Sequence, residues 1–178
     1  MKSYCLYCRT GAEQKLVYLL KKDVRDYLGA DVQILYPTRV MNQKKRGQWK
    51  RVEQPLLPGY VFIYLDEEIP FPVFIIHQER DAYKILRNLD GTLELKGSDA
   101  QYASWVFNHG GKFEPSTVVL KENQIVKVLD GPLQDMQGRV AKLDRHHKRV
   151  IVAFMFAGVE RRVNLSVNII EAEEGSSQ

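Results

Sequence analysis

The sequence predicts an α+β protein in which an N-terminal antiparallel sheet flanked by helices precedes a small C-terminal β-barrel. Helical and strand periodicities mix over residues 1–108, and a polar stretch bearing Gly110, Gly111 and Pro115 follows at 109–123. Beyond it, short β-rich runs separated by polar turns continue to residue 171.

Tyr4 to Cys8 is aromatic and apolar and reads as a strand. Leu16, Leu20 and Val24 recur at a spacing of four, with Val17 and Leu28 beside them, which is the stripe of an amphipathic helix. Gly29 supplies the positive φ that favours a helix end. Val32 to Tyr36 predicts a second strand, limited by Pro37. Thr38 to Met41 and Val52 to Pro55 flank a polar stretch containing Gly47, which predicts an extended hairpin with a mobile tip. The run Tyr60 to Leu65 consists of β-formers and predicts a central strand buried on both faces. Phe71 to Ile76 reads as a short helix and Tyr83 to Leu86 as a strand. Ser98 is placed to N-cap a helix reaching Asn108.

Residues 109–123 have the composition of a linker, and 124–171 form the predicted barrel. Its strands are expected around Ile125 to Val128, Val140 to Leu143, Val150 to Phe156 and Val163 to Ile170. The acidic residues of 172–178 predict a disordered tail. A hydrophobic fraction of 44% with 27% charged residues is that of a folded globular chain. No apolar run is long enough to span a bilayer, so a cytoplasmic protein without a membrane partner is expected. Cys5 and Cys8 lie within one predicted strand rather than at the opening of a helix, which argues for core thiols over a redox pair. His146 and His147 are adjacent, so their side chains diverge, and no metal site is expected. Phosphate-loop, dinucleotide and nucleophile-elbow motifs are missing from the sequence, which predicts no enzyme and no cofactor.

The formal charge of +4 and pI near 9.0 favour an anionic partner, and the distribution of basic residues says more than the total. Arg145, His146, His147, Lys148 and Arg149 fall at a predicted barrel turn, with Arg161 and Arg162 on a neighbouring strand. Such a patch can meet the phosphates of a nucleic acid, and nucleic-acid contact is favoured over mere solubility. Lys44, Lys45, Arg46 and Trp49 on the hairpin suit either a DNA contact, with the indole stacked on an exposed base, or a solvated tip.

Three segments in order resemble the NusG family of transcription elongation factors. They are Tyr4-Cys5-Leu6-Tyr7 leading through Gly11 into a helix, Leu56-Leu57-Pro58-Gly59-Tyr60-Val61, and Asp130-Gly131-Pro132-Leu133 with Gly138. The stretch from Val126 through Gly138 to Val152 is similar to a KOW motif, in which Gly138 would allow the chain to turn. The resemblance implies an NGN domain over 1–108 that grips the clamp helices of the largest subunit of bacterial RNA polymerase, and a KOW barrel over 124–171. Tyr4, Leu57 and Tyr60 are the implied anchors, because a grip on helix tips needs an exposed apolar concavity. Arg9 and Lys15 match positions at which specialised relatives contact non-template DNA.

Leu6-Tyr7-Cys8-Arg9 with Gly11 resembles the operon-specific branches of the family, LoaP above all and RfaH. That implies a monomeric antitermination factor recruited by a structured RNA, a hairpin near the start of long operons. A housekeeping NusG-type role, coupling polymerase to ribosomal protein S10 or Rho, stays open. So does a different class, a ribosome-associated protein that binds rRNA.

Overall fold

The computed structural model describes residues 1–29, 32–122 and 124–172, without the side-chain surroundings of Val126, Gln137 and Gly138. The chain divides into two compact units, each assembled from separated segments. The first contains Met1–Thr38, Pro55–Gly111 and Met155–Val159, and the second contains Arg39–Gln54, Lys112–Phe154 and Glu160–Gln178. The chain therefore passes from one unit to the other five times, at 38/39, 54/55, 111/112, 154/155 and 159/160.

The first unit is built on a four-stranded sheet of order β2-β5-β1-β6, from β1 (Lys2–Cys8), β2 (Gln33–Leu35), β5 (Tyr60–Leu65) and β6 (Ala82–Ile85). Every neighbouring pair is antiparallel, and β1 meets β5 in the register Lys2↔Leu65 to Tyr7↔Tyr60. Because side chains alternate along a strand, this register sorts the sheet into two faces. Tyr4, Leu6, Cys8, Val61, Ile63 and Leu65 pack with Leu16, Leu20 and Val24 of helix α1 (Glu13–Leu28). On the other face Phe62 meets Tyr102 at 5.5 Å between ring centroids, and the Tyr64 hydroxyl donates to the Ala103 carbonyl at 2.7 Å. Both partners belong to α3 (Gly97–Asn108). Strand β5 is thus covered on both sides, as its unbroken run of β-formers predicts, and each fully buried large side chain there contributes about 1.5–3 kcal/mol.

Helix α1 stops where expected, with Gly29 at φ 66 and its N–H donating to the Arg25 carbonyl. A short helix α2 (Val73–Gln78) follows β5. Ser98 is not an N-cap, because α3 begins one residue earlier, with Lys96 in the cap position and no side-chain cap. No helix among the described residues is long and apolar enough to cross a membrane.

The second unit carries a five-stranded sheet of order β10-β11-β12-β8-β9 that curls into a near-closed barrel. Its strands are β8 (Ser116–Lys121), β9 (Gln124–Asp130), β10 (Val140–Asp144), β11 (Arg149–Phe156) and β12 (Val159–Glu171). Val118, Leu120, Val128, Leu133, Val150, Val152, Val163, Leu165 and Val167 are buried in this unit. Strands β8 and β12 run parallel, from Val167↔Ser116 to Glu171↔Leu120. The stretch 109–123, with the composition of a linker, therefore carries β8 and the two-residue β7 (Lys112–Phe113). Its alternating Ser116, Val118 and Leu120 are buried, which is the period of a strand.

Strands β3 (Thr38–Lys45) and β4 (Gln48–Pro55) make a three-stranded sheet with β7. The polar stretch expected as a mobile tip is strand up to a two-residue turn. Arg46 at φ 51 and Gly47 at φ 80 both occupy the left-handed region that a tight hairpin turn requires. The expected disordered tail at 172–178 lies, apart from Ala172, outside the described residues.

Candidate functional site

The three expected polymerase anchors do not converge. Tyr4 stands opposite Ile63 in the β1–β5 register and so faces α1, where its ring meets Phe71 at 4.3 Å and only 6% of the residue is exposed. Tyr60 stands opposite Tyr7 and belongs to the other face. Leu57, before the strand, is 7% exposed.

The structure assembles a different aromatic group instead. Tyr83, 56% exposed, lies 5.6 Å from Tyr7, and Tyr7 lies 5.3 Å from Tyr60. The ring of Phe156 then meets Tyr60 at 5.3 Å, Phe62 at 5.6 Å and Tyr102 at 5.1 Å, and Phe156 is fully buried. Phe156 reaches this cluster on the β11–β12 turn, where Ala157 at φ 51 and Gly158 at φ 74 reverse the chain. The Ala157 N–H donates to Asp99 Oδ1 at 3.0 Å. Tyr7 and Tyr83 were missed from sequence because they join Tyr60 only through strand register, and the alternation within β1 alone does not supply it.

A buried carboxylate holds the turn beneath Tyr60. Glu13, 3% exposed at the start of α1, accepts from the Gly59 N–H through Oε1 at 2.7 Å and from the Gly11 N–H through Oε2 at 2.8 Å. The Gly59 carbonyl in turn accepts from the Cys8 N–H at 2.8 Å. Gly59 sits at φ 86, and a Cβ there would come within 3.2 Å of the Tyr7 ring and 3.3 Å of the Cys8 carbonyl oxygen. Only glycine meets both demands. Cys5 and Cys8 are buried free thiols. Burial first, then the carboxylates of Glu13 and Asp81, push the Cys8 thiol up to about 12, far from the thiolate that redox chemistry needs.

The candidate DNA contacts divide between the two units. In the first, Arg9 Nε and Lys15 Nζ both reach the Asp81 carboxylate, at 2.9 and 3.4 Å. In the second, Lys44, Lys45, Arg46 and Trp49 are exposed at the end of the β3–β4 hairpin, the indole to 53%. Nearer the base, Arg51 pairs with Glu114, and Lys112 joins Glu114 and Glu53.

The candidate RNA contacts are all in the second unit, and several are tied to neighbouring carboxylates. Arg145 meets Glu171 at 2.6 Å and Arg162 meets Glu160 at 2.8 Å. Asp144 accepts from the His147 N–H at 3.0 Å and pairs with its Nδ1 at 2.8 Å. Those two bonds, backbone first, hold the Asp144 carboxyl below its ordinary value. The His146 ring meets His147 edge-on at 4.8 Å, so these adjacent side chains do not diverge as expected but pack on one another. Lys148 is exposed at φ 50, while Arg149 and Arg161 are half-buried. Gly138 falls in the 3-10 segment Pro132–Arg139, and its surroundings lie outside the described residues. The turn glycine that can be followed is Gly131, where a Cβ would meet Ser116 Cα at 2.7 Å. Taken together, the two units offer aromatic and cationic surfaces suited to binding macromolecules.

Comparison with known proteins places the chain among relatives of one family. The family model described as transcription termination factor NusG covers residues 1–104. The transcription termination/antitermination protein NusG of Xylella fastidiosa strain Temecula1 is 23% identical over 182 residues, spanning 94% of this chain and 97% of the relative. Its counterpart in Thermus thermophilus is 26% identical over 180 residues, spanning 91% and 93%. The solved structure "Domain interaction in Thermotoga maritima NusG" aligns with TM-score 0.54 at 18% identity over 93% of each chain. At that identity the alignment speaks to the fold.

Proposed function

This chain belongs to the NusG family of transcription termination and antitermination factors, and from that premise we propose that it binds the clamp helices of RNA polymerase through its first unit and RNA through its second. The factor is non-catalytic. It suppresses pausing and termination while bound, and it acts at particular operons after recruitment by a structured RNA. The observation that carries the polymerase assignment is the aromatic row Tyr83–Tyr7–Tyr60, set beside a turn braced by the buried Glu13 carboxylate. Aromatic side chains of this kind dominate protein interfaces because they bury much area with few rotamers to fix. Tyr60 keeps its place as an anchor, while the burial of Tyr4 and Leu57 makes them supports of the sheet and turn. The operon-specific assignment is supported by Leu6-Tyr7-Cys8-Arg9 with Gly11 at the head of α1.

Co-elution with RNA polymerase elongation complexes tests the assignment. Wild type should co-elute, and Tyr83→Asp, a change at an exposed site that leaves the fold intact, should not. Equal co-elution of both removes the aromatic row from the interface. Failure of both, with retention of rRNA, transfers the chain to the ribosome-associated class.

A further inference from the structure

Two guanidinium groups of the second unit stand together without a counter-ion among the described residues. Arg39, on β3, donates from Nη1 to the Asn164 carbonyl at 2.6 Å, and the Asn42 N–H donates to Ser166 Oγ at 3.1 Å, so β3 lies along β12. The Val167 N–H donates to the Lys148 carbonyl at 2.9 Å, which brings the start of β11, and with it Arg149, to the same place. Burial first, and then the charge of Arg149, depress the pKa of Arg39. The Nε of each guanidinium is buried and has no hydrogen-bond partner among the described residues. Neither is joined to a carboxylate there.

Like charges brought together and partly desolvated are costly unless an anion lies between them. Buried donors without acceptors carry the same message, since nearly all such groups are satisfied in native proteins. The guanidinium fork matches phosphate oxygens, and two forks can share one phosphate. Strand geometry extends the feature. The two-residue turn at Arg46-Gly47 sets Lys45 opposite Gln48, so alternation places Lys45 and Lys50 on the face of the hairpin that carries Arg39. Arg39 and Lys45 are six residues apart, about 20 Å along a strand. A row of cations of that length fits a polyanion backbone better than a single small anion.

We propose that Arg39 and Arg149 together hold one backbone phosphate of an RNA strand, which then follows the β3–β4 hairpin past Lys45 and Lys50. This rests on the RNA-binding role assigned to the second unit, and it adds residues that lie outside the Arg145 to Arg149 turn. The hairpin thereby becomes part of the RNA surface.

The test is fluorescence anisotropy of the full chain with a labelled RNA hairpin bearing single-stranded flanks, and with DNA of the same sequence, across a salt series. Arg39→Gln and Arg149→Gln should each weaken RNA binding about tenfold and make the salt slope shallower by about one. The double variant should lose little more than either single one, because the phosphate is shared. In parallel, pyrophosphate should raise the thermal midpoint of the wild type and leave that of the double variant unmoved. Unchanged affinity and slope overturn the proposal, as does weakening fully accounted for by a lower thermal midpoint. Preference for DNA removes the RNA assignment. Loss of all RNA binding by the wild type, with pyrophosphate protection intact, sinks the RNA role of the second unit but keeps the arginine pair as an anion site. Absence of both overturns the pair as well.

Discussion

At the scale of single residues, Glu13 links the start of α1 to the turn that precedes Tyr60. Its two carboxylate oxygens each accept a backbone N–H, and glutamine has only one oxygen to offer. Glu13→Gln should therefore cost about 1–3 kcal/mol in chemical denaturation and reduce polymerase co-elution beyond what unfolding explains. Gly131 is constrained more severely. Its φ of 85 and the approach of Ser116 Cα to within 2.7 Å of a would-be Cβ leave room for no other residue. Gly131→Ala should destabilise by about 2–6 kcal/mol, read by the same method. Asp144 adds a pH dependence. Its folded pKa lies below the ordinary value of 3.8, so its contribution is complete above that value and fades as pH falls through the lower folded one. Amide exchange at His147 should accelerate in that acid range ahead of the β12 core. At this scale the sequence made Gly29 legible as a helix stop, because the φ requirement is local. It did not make the Glu13–Gly59 bond legible, since 46 residues separate the partners.

Among elements, the strands with a hydrophobic period were readable and the polar ones were not. The β5 run and the α1 stripe carry burial in their composition, and both appear where expected. The β3–β4 hairpin continues through Asn42 to Lys45 with no apolar period, because an exposed ladder is held by backbone hydrogen bonds and turn geometry. Arg46 at φ 51 is the residue least suited to that turn. Arg46→Asn should slow amide exchange across the hairpin tip and stabilise it by about 0.5 kcal/mol, because asparagine tolerates the left-handed region better. Strand β8 was likewise hidden in a segment rich in turn formers. Its pairing with β12 joins residues about fifty positions apart in parallel, a partnership that local pattern does not announce.

On the scale of the whole molecule, the excess positive charge divides the two proposed partnerships by their response to salt. RNA contact through arginine and lysine should weaken steeply as ionic strength rises, whereas an aromatic grip on polymerase should hold. Gel filtration of elongation complexes with and without RNA, at increasing salt, should show loss of RNA-dependent retention first. The overall α+β class and the barrel were legible because each rests on periodicity within short windows. Membership of the hairpin in the second unit, and of Met155–Val159 in the first, was not, because it depends on which distant segments share a core.

Those five passages of the chain between units also bear on how such proteins diversify. Where two folded bodies are consecutive stretches of sequence, one crossover in a gene can replace either intact. A crossover near residue 111 in this gene would part Arg39 and Asn42 from the β12 groups they bond, and Phe156 from Tyr60. Hybrids between this chain and its relatives should therefore survive only when both sides of each junction come from closely matched parents, and the lineage is expected to change by substitution in place rather than by trading halves.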